Sequence, residues 1–234
     1  MRIVALPGVF HPISDSRLLA ARACATASPG ARVLELCTGS GAVAVALARC
    51  GAAAVTAVDR SWRATLTVRL NARRNGVSVR ARRGDLFDAV PGERFDLVVA
   101  NPPYVPARDA ALPLRGPGRA TDAGHDGRVL LDRICAQAAD HLTPGGALLV
   151  VHSSVIGGEE TLERLRSGGL EASVTDRRPG PLGPLMRARR ELLERRGLLE
   201  PGADHEELLV ICGRRVPVGV QDREPAPAGA TARG

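Results

Sequence analysis

The stretch that decides the fold is VLELCTGSG, which runs from residue 33 to residue 41. Its first four residues predict an apolar strand that ends in a glycine-rich turn, and the small apolar residues 42–48 predict a helix buried against a sheet. Glycines in such a turn let the backbone approach a ligand closely, and the helix that follows offers N–H groups without partners. Alone, the segment is also compatible with a tight strand-to-helix turn that binds nothing.

Strands and helices alternate on both sides of this segment. Apolar runs predict strands at residues 33–36, 53–58, 77–79, 95–100, 147–151, 171–176 and 207–212. Helices are predicted at 14–28, 42–48, 63–74, 127–141, 158–167 and 185–196, and residues 107–124 read as a loop. Continuous apolar strands between helices are typical of a parallel sheet covered on both faces. The sequence therefore predicts an α/β fold, doubly wound, with a mostly parallel seven-stranded sheet of the Rossmann-like type.

The length of 234 residues fits one domain, which we place at residues 1–215 with a helical lead-in at 1–30 and a disordered tail at 216–234. A hydrophobic fraction of 44% excludes wholesale disorder. No run of 18 apolar residues predicts a membrane span, and the N-terminus lacks the features of a signal peptide. We expect a cytoplasmic protein.

The formal net charge is +7, but all basic residues are arginine, which indicates a compositional bias rather than a nucleic-acid surface. Aromatic residues make up only 2%, too few for a base-stacking platform. A cluster of Arg187, Arg189, Arg190, Arg195 and Arg196 could contact RNA or a ribosome, although a solvated helix face is the favoured interpretation.

The five cysteines are odd in number and show no metal-ligand spacing, so we expect buried apolar side chains rather than disulfides or a metal site. The histidines are scattered, which also favours no metal. His152, Ser153 and Ser154 could line a crevice, but a loop is the preferred interpretation.

Acidic residues follow two further strands. Asp59 ends the second predicted strand, where a carboxylate can accept both hydroxyls of a ribose. Asp85 follows the third strand and could accept from an adenine amino group, with Leu86 covering the ring. A helix cap at Asp59 and a plain turn at Asp85 are the alternatives.

The most specific motif is Asn101-Pro102-Pro103-Tyr104, directly after the fourth strand. Consecutive prolines fix the backbone and keep Asn101 out of helical geometry. The expected result is a rigid turn that presents the asparagine side chain and exposed carbonyls, and the alternative is a proline-stiffened loop.

Together the segments LELCTGSGAVAVALA, TAVDRS, RGDLFDAV and LVVANPPYVP resemble HemK/PrmC-type S-adenosylmethionine-dependent methyltransferases over residues 9–152. The resemblance implies a class I methyltransferase that modifies a glutamine amide of a release factor or ribosomal protein. It implies that S-adenosyl-L-methionine contacts Glu35, Cys37, Thr38, Gly39, Gly41, Asp59, Asp85, Leu86 and Asn101. It also implies that Asn101, Pro102, Pro103 and Tyr104 hold the amide.

Two features differ from the bacterial release-factor enzymes. Cys37 stands where many members have a glycine. The long helical N-terminal domain is absent, and residues 10–16 are instead similar to the start of a compact branch that works with a small partner subunit.

The expected mechanism is alignment of the amide nitrogen with the methyl group. Asn101 Oδ1 and the Pro102 carbonyl would accept the amide N–H groups while Tyr104 packs on the amide plane. Alternatives are an adenine-amino methyltransferase acting on nucleic acid, a small-molecule methyltransferase, and a cofactor-binding protein without catalysis.

Overall fold

A computed structural model describes residues 1–11, 14–114 and 116–217, so most of the predicted tail lies outside the described residues. The strands form one sheet in the order β3-β2-β1-β4-β5-β7-β6. They are β1 (Arg32–Leu36), β2 (Ala54–Asp59), β3 (Arg80–Arg83), β4 (Phe95–Ala100), β5 (Leu142–Ser153), β6 (Glu171–Pro181) and β7 (His205–Arg214). Strand β7 runs antiparallel to β5 and to β6, and the other pairs among these strands are parallel, which confirms the predicted mostly parallel, seven-stranded sheet.

Helices cover both faces of the sheet. The helices are α1 (Ser14–Thr26), α2 (Ala42–Arg49), α3 (Trp62–Arg74), α4 (Val129–Gln137), α5 (Gly158–Ser167), α6 (Pro184–Ala188) and α7 (Arg190–Arg195). Buried residues of α1, α2 and α3 form one apolar cluster with the sheet, and buried residues of α4 to α7 form the other. Because strand side chains alternate between the two clusters, both faces of each central strand are apolar. This explains why the sequence shows continuous apolar runs.

Several element boundaries differ from the predictions. The apolar residues 77–79 form no strand, and β3 is instead the arginine-rich segment Arg80–Arg83. This strand lies at the edge of the sheet and its residues are exposed or half-buried, so it needs no apolar pattern. The predicted helix at 185–196 is two short helices, α6 and α7, which meet at Arg189.

Other elements differ in length. Strand β5 spans Leu142–Ser153 and therefore contains the Pro-Gly-Gly segment that was expected to precede it. His152 and Ser153 are buried strand residues, so the loop interpretation was wrong for them. The predicted helix at 127–141 is α4 followed by a 3-10 turn at Ala138–His141, and the loop at 107–124 contains a 3-10 turn at Pro117–Ala120.

One expectation about the cysteines was wrong. Cys24 in α1 and Cys50 at the end of α2 form a disulfide, with their Cα atoms 5.9 Å apart. The two residues are 26 positions apart in a region without any cysteine motif, and only the packing of α1 beside α2 brings them together. Cys135 and Cys212 are buried thiols, as predicted, and Cys37 is half-buried.

Within the part of the chain that the structure describes, no helix has the length and apolar character to cross a membrane.

His152 makes stability dependent on pH. Its ring is fully buried, with Nδ1 2.9 Å from the Ser153 carbonyl and Nε2 3.1 Å from Thr161 Oγ1. Burial lowers the His152 pKa to about 4, so the unfolded chain takes up a proton between roughly pH 6.5 and 4 that the folded chain does not. Stability contributed by neutral His152 is therefore lost as pH falls.

We expect this histidine to remove about 2 kcal/mol from the free energy of unfolding between pH 7 and pH 5. Urea denaturation of the wild type and of His152→Asn at both pH values measures the effect, because asparagine does not titrate. The same pH-dependent loss in both proteins would contradict the assignment.

Candidate active site

One crevice lies at the carboxyl edge of the sheet, where the parallel strands β1 to β4 end together. The turn after each strand contributes to its wall. These wall residues are Cys37 and Gly39, Asp59, Asp85 and Leu86, and Asn101, Pro102, Pro103 and Tyr104. Of the other predicted residues, Glu35 lies in β1 and Thr38 and Gly41 lie in the turn after it, and none of the three lines the crevice.

The turn after β1 depends on a left-handed backbone. Cys37, Gly39 and Gly41 have φ values of +55°, +51° and +77°. A Cβ at Gly41 would lie 2.9 Å from Val68 Cγ2 of α3, so only glycine fits there. Cys37 adopts the same left-handed conformation with a side chain, which costs energy that a glycine at this position would not.

The Glu35 side chain holds the turn that follows β1. Its buried Oε2 accepts from Thr38 Oγ1 at 2.5 Å and from the Ala44 backbone N–H at 2.9 Å. Burial raises the Glu35 pKa to about 8. The side chain thus ties the turn to the start of α2, which is a supporting position behind the crevice.

Asp59 joins two of the turns. Its Oδ2 accepts from the Gly39 N–H at 3.0 Å and its Oδ1 from the Ser61 N–H at 2.8 Å. Burial raises the Asp59 pKa, while these two hydrogen bonds act in the opposite direction. Both oxygens keep lone pairs for a ligand, and the carboxylate is fixed in place before any ligand arrives.

Asp85 and Leu86 form the next part of the wall. Asp85 Oδ2 lies 2.9 Å from Arg133 Nη2 of α4, so an ion pair with this arginine holds the half-exposed carboxylate. Leu86 is buried and begins a 3-10 turn, Leu86–Ala89, in a left-handed conformation with φ +45°. An apolar surface and an acceptor therefore lie side by side, as a purine ring with an amino group requires.

The side chains of the Asn101–Tyr104 motif are held by the first turn of α1. Asn101 Nδ2 donates to Ser16 Oγ at 3.3 Å, and the Tyr104 hydroxyl donates to Asp15 Oδ2. Burial and the neighbouring Asp15 carboxylate raise the Tyr104 pKa, which keeps the phenol protonated. Sequence reasoning treated Asp15 and Ser16 only as helix-capping residues, since nothing in the pattern connects them to a motif so distant in the chain.

Two further parts of the crevice wall were not predicted from the sequence. Glu206 at the start of β7 faces the crevice, with Oε2 accepting from Ser153 and Oε1 from the Gly183 N–H at 2.5 Å. The segment Gly8–Phe10 forms another wall, and Asn71 of α3 anchors the chain just before it through two hydrogen bonds to Val4.

The arginine cluster has a structural role that neither interpretation included. Arg189 contacts Asp122 at 2.8 Å and the Pro106 carbonyl at 2.7 Å. Arg196 donates to the carbonyls of Ala107 and His125 at 2.8 and 2.6 Å. These two side chains therefore fasten the loop that carries the crevice residues Arg119 to Thr121.

Comparison with known proteins agrees with this geometry. Residues 1–114 match the model of the methyltransferase small domain family. The chain is 32% identical over 180 residues to a putative protein N5-glutamine methyltransferase of Methanocaldococcus jannaschii, covering 77% of this chain and 90% of the relative. The chain belongs to the HemK/PrmC-type S-adenosylmethionine-dependent methyltransferases.

The chain is also similar to two further proteins. It is 42% identical over 156 residues to the release factor glutamine methyltransferase of Gloeobacter violaceus, covering 61% of this chain and 53% of the relative. The chain thus spans about half the length of that enzyme. The fold is also similar to the E. cuniculi Mtq2–Trm112 structure, which is a complex for methylation of the eRF1 translation termination factor. The TM-score is 0.60 and the sequence identity 23%, and the match covers 89% of this chain and 99% of that chain.

The crevice residues of this methyltransferase fit S-adenosylmethionine. Asp59 offers an oriented carboxylate for a ribose diol, and Asp85 with Leu86 offers an acceptor beside an apolar surface. Gly39 and Phe10 both line the crevice, and a Cβ at Gly39 would lie 3.4 Å from Phe10 Cβ, so the absence of a side chain keeps this part of the crevice open. No cluster of His, Cys, Asp and Glu among the described residues could hold a metal ion.

We predict that Asp59→Asn raises the dissociation constant for S-adenosylmethionine at least about tenfold, the equivalent of about 1.4 kcal/mol. An asparagine amide turns one acceptor into a donor that faces the N–H of Gly39 or Ser61. Isothermal titration calorimetry checks this, with Asp88→Asn as the control, since Asp88 lies exposed in the neighbouring 3-10 turn. Equal affinities of Asp59→Asn and wild type would contradict the ribose role.

Proposed function

We propose that the chain methylates the side-chain amide of a glutamine in a translation termination factor. The family membership supports the reaction type, and the names of the relatives in Gloeobacter and E. cuniculi support the acceptor class. The observation that carries the proposal is the orientation of the Asn101 amide. Because its Nδ2 is held by Ser16, its oxygen is the group left for an acceptor in the crevice.

A primary amide has two N–H groups and a delocalised lone pair, which makes its nitrogen a poor nucleophile. In this proposal Asn101 Oδ1 and the Pro102 carbonyl, both from residues that line the crevice, accept these two N–H groups, which orients the nitrogen and raises its electron density. Bound S-adenosylmethionine supplies an electrophilic methyl group on its sulfonium. The chain then contributes by aligning the amide nitrogen with this methyl group at near-attack distance. Such alignment can lower the activation barrier of methyl transfer by a large part.

Pro103 and Tyr104 complete the acceptor side of the crevice. The Tyr104 ring provides a planar surface for the amide, and its hydroxyl is already occupied by Asp15. The phenol therefore excludes water without competing for the amide oxygen. The proton released after methyl transfer leaves the nitrogen to the carbonyl acceptors and then to solvent.

The first test is transfer of radiolabel from methyl-labelled S-adenosylmethionine to a lysate of the host. We expect protease-sensitive label in one band, and mass spectrometry of that band locates a methyl group on a glutamine. Asn101→Ala should abolish the label while the affinity for S-adenosylmethionine stays within about threefold. Nuclease-sensitive label would contradict this proposal and support methylation of an adenine amino group in nucleic acid. Label in small molecules would contradict it and support a small-molecule methyltransferase.

We further propose that a small acidic protein binds beside this site, on α3 and the edge strand β3. Trp62, Leu66 and Leu70 lie one turn apart on α3 and are 55%, 46% and 39% exposed. Strand β3 has an unpaired edge next to them, and its arginines give the surface a positive charge. Such a surface suits an added strand from a partner with acidic residues, and Mtq2 is paired with the small protein Trm112.

This surface is tested with a Trm112-type protein from the same host. We expect a one-to-one complex by sedimentation, weakened at least about tenfold by Leu66→Asp and unchanged by Leu114→Asp, which alters an exposed leucine in the 107–124 loop. Full activity of the chain alone, without complex formation, would contradict the partner proposal and leave the glutamine reaction intact.

A further inference from the structure

The side chains that hold the Asn101–Tyr104 motif lie far away in the chain. Ser16 and Asp15 are separated from their partners by 85 and 89 residues, and both are at least 92% buried. Polar groups are buried at this level only where hydrogen bonds compensate for lost solvation. Their position at the motif therefore needs an account beyond helix capping.

Ser16 acts on the position of an amide. An asparagine side chain has a donor end and an acceptor end, and turning it by 180° about its last bond exchanges them. The Ser16 hydroxyl accepts from Nδ2 at 3.3 Å, which ties the Asn101 side chain to the first turn of α1. With Nδ2 bonded to Ser16, Oδ1 is the acceptor available to the crevice.

Asp15 acts on the position of the phenol. Its Oδ2 accepts from the Tyr104 hydroxyl and its Oδ1 accepts from Ser14 Oγ at 2.8 Å. Both oxygens of the carboxylate are therefore engaged in hydrogen bonds. A hydrogen bond to a charged acceptor is stronger than one to a neutral group, so Tyr104 is held more firmly than by packing alone.

We propose that the first turn of α1 is a positioning clamp for the acceptor side of the methyl-transfer site. Ser16 holds the Asn101 side chain in place, and Asp15 holds the Tyr104 ring. The clamp rests on the proposed function, because it gives Asn101 Oδ1 and Tyr104 to an acceptor amide. Neither residue is assigned a contact with the cofactor or with the reacting atoms.

The clamp is tested by kinetics with matched variants. Ser16→Ala should lower kcat roughly 10-fold to 100-fold, as expected for a misplaced catalytic group, with the dissociation constant for S-adenosylmethionine within about twofold. Ser16→Thr keeps the hydroxyl and should recover most of kcat. Arg17→Ala changes an exposed residue of the same turn and should leave kcat unchanged.

Asp15 is tested together with Tyr104. If Asp15 acts through the phenol, Asp15→Asn and Tyr104→Phe lower kcat, and the double variant is no slower than the slower single variant. Additive losses in this cycle would overturn the link between the two residues. Full kcat in Ser16→Ala would overturn the role of Ser16.

A second readout separates the clamp from the identity of the acceptor. In the substrate-free protein, hydrogen exchange of the Asn101 side-chain amide measured by NMR should be faster in Ser16→Ala than in wild type, and slow again in Ser16→Thr. This result supports the clamp even if the wild type proves inactive on glutamine, an outcome that would remove the proposed acceptor alone. An exchange rate that is the same in all three proteins overturns the clamp.

Discussion

The site depends on the Asp59 carboxylate, which accepts hydrogen bonds from the Gly39 and Ser61 N–H groups. This one side chain connects the turn after β1 to the turn after β2 and fixes the distance between them. It can do so because β1 and β2 pair in parallel and end at the same edge. A buried carboxylate without such partners would be costly, so the two backbone hydrogen bonds are what allow an acidic group to stand at this point of the crevice.

In the proposed function, the crevice around this connection divides into a cofactor side and an acceptor side. Asp59, Asp85 and Leu86 lie on the cofactor side, where each offers a group that matches part of a nucleoside. Asn101 and Tyr104 lie on the acceptor side, where α1 holds them. In the proposed reaction this sheet edge brings an electrophile and an amide together, and the chain contributes mainly alignment.

Much of this arrangement could be predicted from the sequence because it follows the chain. Asp59 and Asn101 each come directly after an apolar strand, and parallel strands must end at one edge. Asp15, Ser16 and Glu206 could not be found in this way, since only tertiary packing brings them to the crevice. The disulfide between Cys24 and Cys50 and the arginine-rich strand β3 escaped prediction for related reasons: the first depends on packing between helices, and the second lies at a sheet edge where no apolar pattern is required.

The central claim is that the crevice binds a nucleoside cofactor and a glutamine amide in line across Asn101. The affinity of a bisubstrate analogue, in which the glutamine side-chain nitrogen is joined to the adenosyl group through the transferred carbon, tests this most directly. The account predicts binding at least about 100-fold tighter than S-adenosylmethionine, and loss of that advantage in Asn101→Ala. Binding no tighter than the cofactor alone, or an equal advantage for an analogue that carries adenine in place of glutamine, would contradict it.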